Sequence, residues 1–347
     1  MDRIFPKIFY QLKKPKTVIV IGDERATAAE AVFLVLSKHG KAKKIQKPWP
    51  LIVASQETVI VEKDISAKED FKEAVFLAKH SSLPVIVITR SNDGSCPPDI
   101  LNNFLESLFS QKNLVPKIIY NSDQADLKKA LGQIPAENKS GYGFLPEAEF
   151  RASDVRIAKE LNFKVNVKGN TIPVWLGRAF GEEQVLSALA GMAAGRVFGL
   201  NLIETTQALK DYRSAPGRMN FVNGVNGTFV LDNTKSKNCS SDLAALEILG
   251  KIRGFRKKIA ILGKDFGAKE SSLISEEIFS SLDSIFIING LDTTPAKSGH
   301  LEKIRGFATM DGVVAELANK TGTQDLILIS GRGMEEILAK LKTALLA

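Results

Sequence analysis

The chain has 347 residues, of which 44% are hydrophobic and 25% charged, and its net charge is +8. This composition is typical of a globular protein long enough for two domains, and no apolar run approaches the roughly 20 residues of a membrane span. The charge favours an anionic partner such as a nucleotide, a phosphate sugar or a lipid surface. Because the basic residues are dispersed and no recognition motif occurs, nucleic-acid binding is not expected. The two cysteines, Cys96 and Cys239, are far apart in sequence, which indicates a reducing cytoplasm rather than a disulfide framework.

The first segment of the chain places apolar residues at helical spacing among lysines. The residues that share this face are Ile4, Phe5, Ile8, Phe9 and Leu12. The pattern fits either a helix on a membrane surface or a helix packed on its own domain, and its shortness favours packing. The segment has no long apolar core and no small-residue cleavage site, so it is not a signal peptide.

A buried strand, a glycine-containing turn and a helix follow. Residues 17–21 are a β-branched run, residues 22–27 read G-D-E-R-A-T, and residues 28–37 form an apolar-faced helix. Strand, glycine turn and helix are the frame of a phosphate-binding loop.

Further buried runs predict a series of parallel strands, the first of which ends in Glu62. These runs are residues 58–62, 84–89, 117–123, 258–263, 284–290 and 325–331. The alternation with helices predicts an α/β fold, with a central P-loop-type parallel-sheet domain followed by a Rossmann-like C-terminal domain. Glu62 is either a metal ligand or an ordinary acid at a strand end.

The most informative segment is residues 215–249, which reads as hinge, strand, polar loop and helix. Pro216-Gly217-Arg218-Met219 begins it, Asp232-Asn233-Thr234 ends the strand, and Ser240, Ser241 and Asp242 are candidate N-caps. The segment resembles the start of the C-terminal domain of the Mur ligase family, ATP-dependent amide ligases that build the peptidoglycan stem peptide. Among them it is most similar to the members that add D-alanyl-D-alanine.

Several family positions differ in this chain. The family turn G-x-x-G-K-[ST] keeps its ends at Gly22 and Thr27, but Arg25 replaces the second glycine and Ala26 the lysine. No histidine follows the strand at residues 90–95, and no lysine stands near residues 104–106, where the family carries a carbamylated one. Loss of these groups removes positive charges that would offset the negative charge on the phosphoryl group during its transfer.

The resemblance nevertheless implies a set of site residues. Gly22, Thr27, Arg218, Asp232 and Asn233 would contact ATP, with Arg218 on the phosphates and Asp232 on the ribose. Asn233 stands where the family has an acid. Glu62 would hold Mg²⁺, and both cofactors are implied by the resemblance alone.

The resemblance also implies the domain organisation. Residues 1–214 would be the central domain with a degenerate P-loop and residues 215–347 the C-terminal domain, with no room for the family's N-terminal uridine-sugar domain. We expect a cytoplasmic protein that is not transmembrane and whose partner is a peptidoglycan precursor or a cell-wall enzyme. Two functions stay open: a ligase with altered nucleotide contacts and reduced or lost activity, or a pseudoenzyme that acts as a scaffold or regulator of cell-wall synthesis.

Overall fold

The computed structural model describes residues 4–38, 40–45, 57–91, 96–110, 114–158, 160–236, 239–263, 266, 273–288 and 303–343. The chain divides into two compact units. The first comprises Met1–Val155, Asn162–Leu176 and Glu182–Tyr212, and the second comprises Arg156–Leu161, Gly177–Gly181 and Arg213–Ala347. Residues 92–95, which include part of the segment predicted to lack the metal histidine, lie outside the described residues.

The first unit is built on one large sheet flanked by helices. Its elements in chain order are α1 (Ile4–Lys13), β1 (Lys16–Ile21), α2 (Arg25–Ser37), β2 (Ala42–Ile45), β3 (Thr58–Lys63), α3 (Lys68–Lys79), β4 (Pro84–Ile88), α4 (Pro98–Phe109), β5 (Lys117–Asn121), α5 (Ala125–Ala130), β6 (Lys139–Gly143), β7 (Phe150–Ile157), β8 (Leu161–Val167), β9 (Asn170–Leu176), α6 (Glu182–Val197) and α7 (Leu202–Leu209). Within the described residues the strand order is β2-β3-β1-β4-β5-β6-β7-β8-β9.

Strand β1 is an interior strand of this sheet because it pairs in parallel with β3 on one side and β4 on the other. Val18 lies opposite Ile60 and Val85, and all three are buried. A parallel strand covered by helices on both faces needs such continuous β-branched runs. The predicted α/β class is therefore confirmed, and the carboxyl ends of the parallel strands β1, β3 and β4 lie at the same edge of the sheet.

Helix α2 begins three residues earlier than the sequence predicts. The helix starts at Arg25, so the turn after β1 is only residues 22–24, and Arg25, Ala26 and Thr27 belong to the first helical turn. This turn of residues 22–24 is called the β1–α2 turn below. The predicted turn of residues 22–27 was too long, and Arg25 is a helical residue.

The second unit is a smaller α/β layer structure. Its elements are β10 (Asn220–Asn223), β11 (Phe229–Asn233), α8 (Cys239–Lys251), β12 (Lys258–Leu262), α9 (Glu276–Ser281), β13 (Ser284–Ile288), β14 (Ile304–Phe307), α10 (Met310–Lys320), β15 (Leu326–Ser330) and α11 (Glu335–Thr343). Within the described residues the strand order is β10-β11-β15-β12-β13-β14; β10 pairs antiparallel with β11, and the other ladders are parallel. The prediction of N-caps at Ser240, Ser241 and Asp242 was wrong, because α8 begins at Cys239 and contains all three.

Candidate functional site

The β1–α2 turn is packed tightly against the end of β4. Gly22 has φ +101, and a Cβ there would lie 2.5 Å from Thr89 Oγ1 and 2.7 Å from Arg90 O. The Asp23 amide donates to the same Arg90 carbonyl at 3.4 Å. Only glycine fits both the backbone conformation and the space. Gly22 is therefore required by the turn itself, whether or not a phosphate binds.

Arg25 closes this turn with its own side chain. Its Nη1 donates to Gly22 O at 3.0 Å, and its Nη2 donates to Asp64 Oδ2 at 3.1 Å. Asp64 follows β3, so the guanidinium joins the ends of two adjacent strands. The positive charge at this position is thus committed to a carbonyl and a carboxylate of the protein, and Ala26 next to it brings no charge.

A small cavity beside the turn is lined by two carboxylates, one guanidinium and neutral side chains. Glu24, Arg90, Tyr142 and Glu183 contribute to it, and its volume of about 10 Å³ has room for about one water molecule. Glu24 Oε2 is buried and has no hydrogen-bond partner among the described residues. The Glu24 and Glu183 carboxylates oppose the approach of a triphosphate because like charges repel, and Arg90 offsets part of this repulsion.

Thr27 matches the serine or threonine position of the family turn, but its side chain is buried in the core. It is buried, and its carbonyl accepts a hydrogen bond from the Tyr212 hydroxyl at 3.2 Å. Its own Oγ1 has no hydrogen-bond partner in the part of the chain that the structure describes. A buried hydroxyl without a partner costs about 1–3 kcal/mol and calls for an explanation.

The thiol of Cys96 is part of the same surroundings. Its pKa is raised to about 12, chiefly by complete burial and to a lesser extent by the nearby carboxylates Asp23 and Asp64, while Arg25 opposes the rise. A thiol with so high a pKa is not a nucleophile near neutral pH. No disulfide involves either cysteine.

Glu62 lies in β3 near a lysine that also pairs with a second acid. Lys44 Nζ is 3.6 Å from Glu62 Oε1 and also contacts Glu30. The lysine provides the positive charge that a metal ion would otherwise supply. Among the described residues no group of three or more His, Cys, Asp or Glu is arranged to hold a metal ion. The metal role of Glu62 stays a prediction, without companion ligands in the described residues.

In the second unit, Asp232 stabilises the hinge, defined here as residues 214–219. Its Oδ2 accepts from the Gly217 amide at 2.9 Å, and its Oδ1 accepts from the Thr234 amide at 3.2 Å and from Thr234 Oγ1 at 2.7 Å. Asp232 is only 3% exposed. Both oxygens are therefore engaged inside the protein, and the predicted ribose contact would have to displace these donors.

Arg218 is half-buried within the hinge, between two residues with left-handed backbone. Gly217 has φ +79 and Met219 has φ +51. The Arg218 amide donates to Ala215 O at 3.0 Å, and its carbonyl accepts from the Ser214 hydroxyl. Its backbone is thus fixed by the hinge, and its predicted phosphate contact stays a prediction.

Asn233 joins a buried polar network that local sequence did not reveal. Its Nδ2 donates to Ser330 Oγ at 2.8 Å, and Ser330 in turn donates to Asp242. Asn233 and Ser330 are register partners at the ends of β11 and β15. Ser330 stands where the resemblance places a lysine. This contact could have been predicted from the pairing of β11 with β15, because the ends of adjacent parallel strands lie side by side.

Comparison with known proteins gives no matching family model. Among curated proteins, the chain is 25% identical over 240 residues to the UDP-N-acetylmuramoyl-tripeptide--D-alanyl-D-alanine ligase of Bacillus subtilis, covering 65% of this chain and 50% of that protein. It is 30% identical over 118 residues to the UDP-N-acetylmuramoyl-L-alanyl-D-glutamate--2,6-diaminopimelate ligase of Thermosynechococcus vestitus, covering 32% of this chain and 22% of that protein. The chain thus spans half or less of the length of these curated relatives.

Solved structures match over almost the whole chain. The MurF ligase of Thermotoga maritima in complex with ADP has a TM-score of 0.71 at 18% identity, covering 98% of this chain and 82% of that one. MurF from Acinetobacter baumannii has a TM-score of 0.72 at 16% identity, covering 97% of this chain and 79% of that one. The MurC ligase of Thermotoga maritima has a TM-score of 0.68 at 12% identity, covering 98% of this chain and 78% of that one.

The fold defines the class: a two-unit α/β protein with the Mur ligase fold. The curated and structural neighbours together support a relationship to the Mur ligase family. Among the described residues, no helix has the length and apolar character needed to cross a bilayer.

Proposed function

We propose that this protein is a relative of the D-alanyl-D-alanine-adding ligases. It lacks the contacts with the ATP phosphates that are usual in Mur ligases, and its ligase activity is reduced or lost. Its two units would correspond to the central and C-terminal domains of that family, with the predicted boundary at residues 214 and 215. The substrate class follows from the Bacillus subtilis relative, whose name describes the addition of D-alanyl-D-alanine to a UDP-N-acetylmuramoyl-tripeptide. A cytoplasmic role on peptidoglycan precursors, or beside a cell-wall enzyme, is part of the same proposal.

The observation that carries the proposal is the closed state of the β1–α2 turn. Arg25 donates to both Gly22 O and Asp64, where the family has a glycine that leaves room for a phosphate. The neighbouring Ala26 provides no ammonium group for the phosphates, and the buried Glu24 carboxylate adds repulsion. The residues present therefore do not fit Mg-ATP in the manner usual for Mur ligases.

One observation favours the second candidate, an ATP-dependent ligase with altered nucleotide contacts. Thr27 Oγ1 is buried without a hydrogen-bond partner among the described residues, at the position where the family hydroxyl stands. A ligand or ion that approached the start of α2 would give this oxygen a partner, since helix N-termini favour anions. The ADP complex of the Thermotoga maritima MurF makes nucleotide use the natural expectation for an active relative.

Calorimetric titration of the full chain with ATP, with and without Mg²⁺, separates the two candidates. The proposal expects no saturable heat up to millimolar nucleotide and no thermal shift. An active Mur ligase titrated in the same buffer is the positive control. Micromolar, magnesium-dependent binding would overturn the proposal and would favour the ligase candidate, to be followed by a ligation assay with the tripeptide precursor.

If ATP does not bind, a role as regulator or scaffold is tested by measuring the affinity of the protein for the peptidoglycan precursor and for cell-wall ligases. Binding of the uridine-diphosphate tripeptide without turnover would support a regulator that senses the precursor. A specific complex with an active cell-wall ligase would support a scaffold.

A further inference from the structure

Helix α1 is anchored to the first unit by one side of its surface. Tyr10 is fully buried, and its hydroxyl donates to Leu77 O at 3.0 Å and contacts Thr17 Oγ1. Its ring also approaches Phe76 at a centroid distance of 6.1 Å. The predicted packing of this segment on its own domain is therefore observed on the Tyr10 side. Of the predicted apolar face, the side chains of Ile4 and Phe5 lie outside the described residues.

The other side of α1 leaves large apolar residues in solvent. Ile8 is 46% exposed, Phe9 42% and Leu12 73%. At about 100° per residue these three fall within one arc of about 100°, and Leu12 lies nearly opposite Tyr10. Single exposed apolar residues need no explanation, but three clustered on ten helical residues mark an interaction site.

The described charged residues on helix α1 and directly after it are all positive. Lys7, Lys13 and Lys14 are exposed on or directly after the helix, and the helix contains no acidic residue. Lys13 borders the arc directly, whereas Lys7 lies toward the Tyr10 side of the helix, where its Nζ is 5.1 Å from the centre of the Phe76 ring. An apolar face bordered by lysines is the pattern of a helix that lies in the interface of an anionic bilayer.

We propose that the face formed by Ile8, Phe9 and Leu12 with its flanking lysines docks on an anionic lipid surface. Self-association is disfavoured because two copies of this face would bring their lysines together without counter-charges. Three side chains also bury far less area than the roughly 800 Å² per partner of a standard protein interface. On a bilayer, the apolar tips enter the acyl boundary while the lysines meet lipid phosphates. The inference does not depend on whether the protein binds nucleotide.

Co-sedimentation of the full chain with vesicles tests this proposal. Vesicles of equal parts phosphatidylglycerol and phosphatidylcholine are compared with vesicles of phosphatidylcholine alone. We expect partitioning only into the anionic vesicles, and about fivefold weaker partitioning for Lys13→Gln, whose lysine borders the apolar arc. The triple variant Ile8→Ser, Phe9→Ser, Leu12→Ser should lose about tenfold or more in partitioning while keeping its melting temperature, because Tyr10 stays in place.

A matched control is Ile203→Ser, an equally apolar residue that is 61% exposed on α7 of the same unit. This variant should bind anionic vesicles as the unmodified chain does. The proposal is overturned if the unmodified chain ignores anionic vesicles or if the control loses as much binding as the triple variant. It is also overturned if the triple variant changes the oligomeric state in solution instead of vesicle binding, which would make the face a protein interface.

Discussion

The Asp232 carboxylate holds the amide of Gly217 at 2.9 Å, and so ties the end of strand β11 to the hinge fifteen residues earlier in the chain. The opposite oxygen accepts from the amide and hydroxyl of Thr234. Because both oxygens accept, this position needs a carboxylate rather than an amide. The acid that the family resemblance assigns to nucleotide is thus structural in this conformation.

Replacement of Asp232 by Asn should destabilise the second unit by about 2–3 kcal/mol, because either orientation of the amide turns its NH₂ toward a backbone N–H. Urea unfolding followed by circular dichroism measures the loss, and hydrogen exchange at the Gly217 amide should speed up. Asp211→Asn in the first unit is the control for the loss of an exposed carboxylate: that side chain is 69% exposed and pairs with Lys38 at 3.1 Å. Its change should stay below about 1 kcal/mol. Equal effects from the two variants would contradict the structural role of Asp232.

Gly22→Ala should destabilise the first unit by about 3 kcal/mol or more, since a side chain would add strain at φ +101 and collide with Thr89 and Arg90. Gly199→Ala separates these two effects: Gly199 also has positive φ, +87, but a Cβ there meets nothing within 4 Å. That control should cost only about 1–2 kcal/mol. Urea midpoints of the two variants provide the comparison, and a Gly199 variant as unstable as the Gly22 variant would rule out the clash.

The sequence predicted the buried strands well because their β-branched runs are continuous, as parallel strands covered on both faces require. Strand β1 was expected at residues 17–21 and is Lys16–Ile21. Short polar strands such as β2, with the sequence AKKI, escaped because their pairing with β3 rather than their own composition makes them strands.

For the candidate site, the sequence predicted the order of strand, turn and helix but not the side-chain contacts. Gly22 and Thr27 were recognisable because they match the two ends of the family turn pattern. By contrast, the contact of Arg25 with Asp64 joins residues 39 apart, and that of Asn233 with Ser330 joins residues 97 apart. No local pattern predicts which distant carboxylate or hydroxyl a side chain will meet. Arg25 was expected in a turn, whereas its helical position directs the guanidinium back to Gly22 O.

Restoring the family residues tests whether Arg25 closes the phosphate turn. The double variant Arg25→Gly, Ala26→Lys frees Gly22 O and Asp64 and adds an ammonium group at the start of α2. We expect it to gain measurable ATP affinity by calorimetry where the unmodified chain shows none, and to lose about 1 kcal/mol of stability from the helical glycine.

Ala26→Lys alone is the control, because it leaves the Arg25 contacts in place and should gain nothing. Binding by this single variant would show that Arg25 is not the obstacle. A folded double variant that still ignores ATP would place the defect elsewhere, with Glu24 and its buried oxygen the next residue to replace.

Thr27→Val should leave the protein as stable as before or stabilise it by up to about 1 kcal/mol, because it removes a buried hydroxyl that has no partner among the described residues. Thr17→Val is a matched control in the same unit: that threonine is also buried, but its hydroxyl contacts the Tyr10 hydroxyl and donates to Pro15 O at 3.3 Å. This control should lose about 1–2 kcal/mol. Thermal unfolding of both variants, with and without Mg-ATP, gives the comparison. If Thr27→Val destabilises as much as Thr17→Val, the Thr27 hydroxyl has a bound partner in solution; if it instead abolishes a nucleotide-dependent shift, that partner is a ligand and the ligase candidate gains.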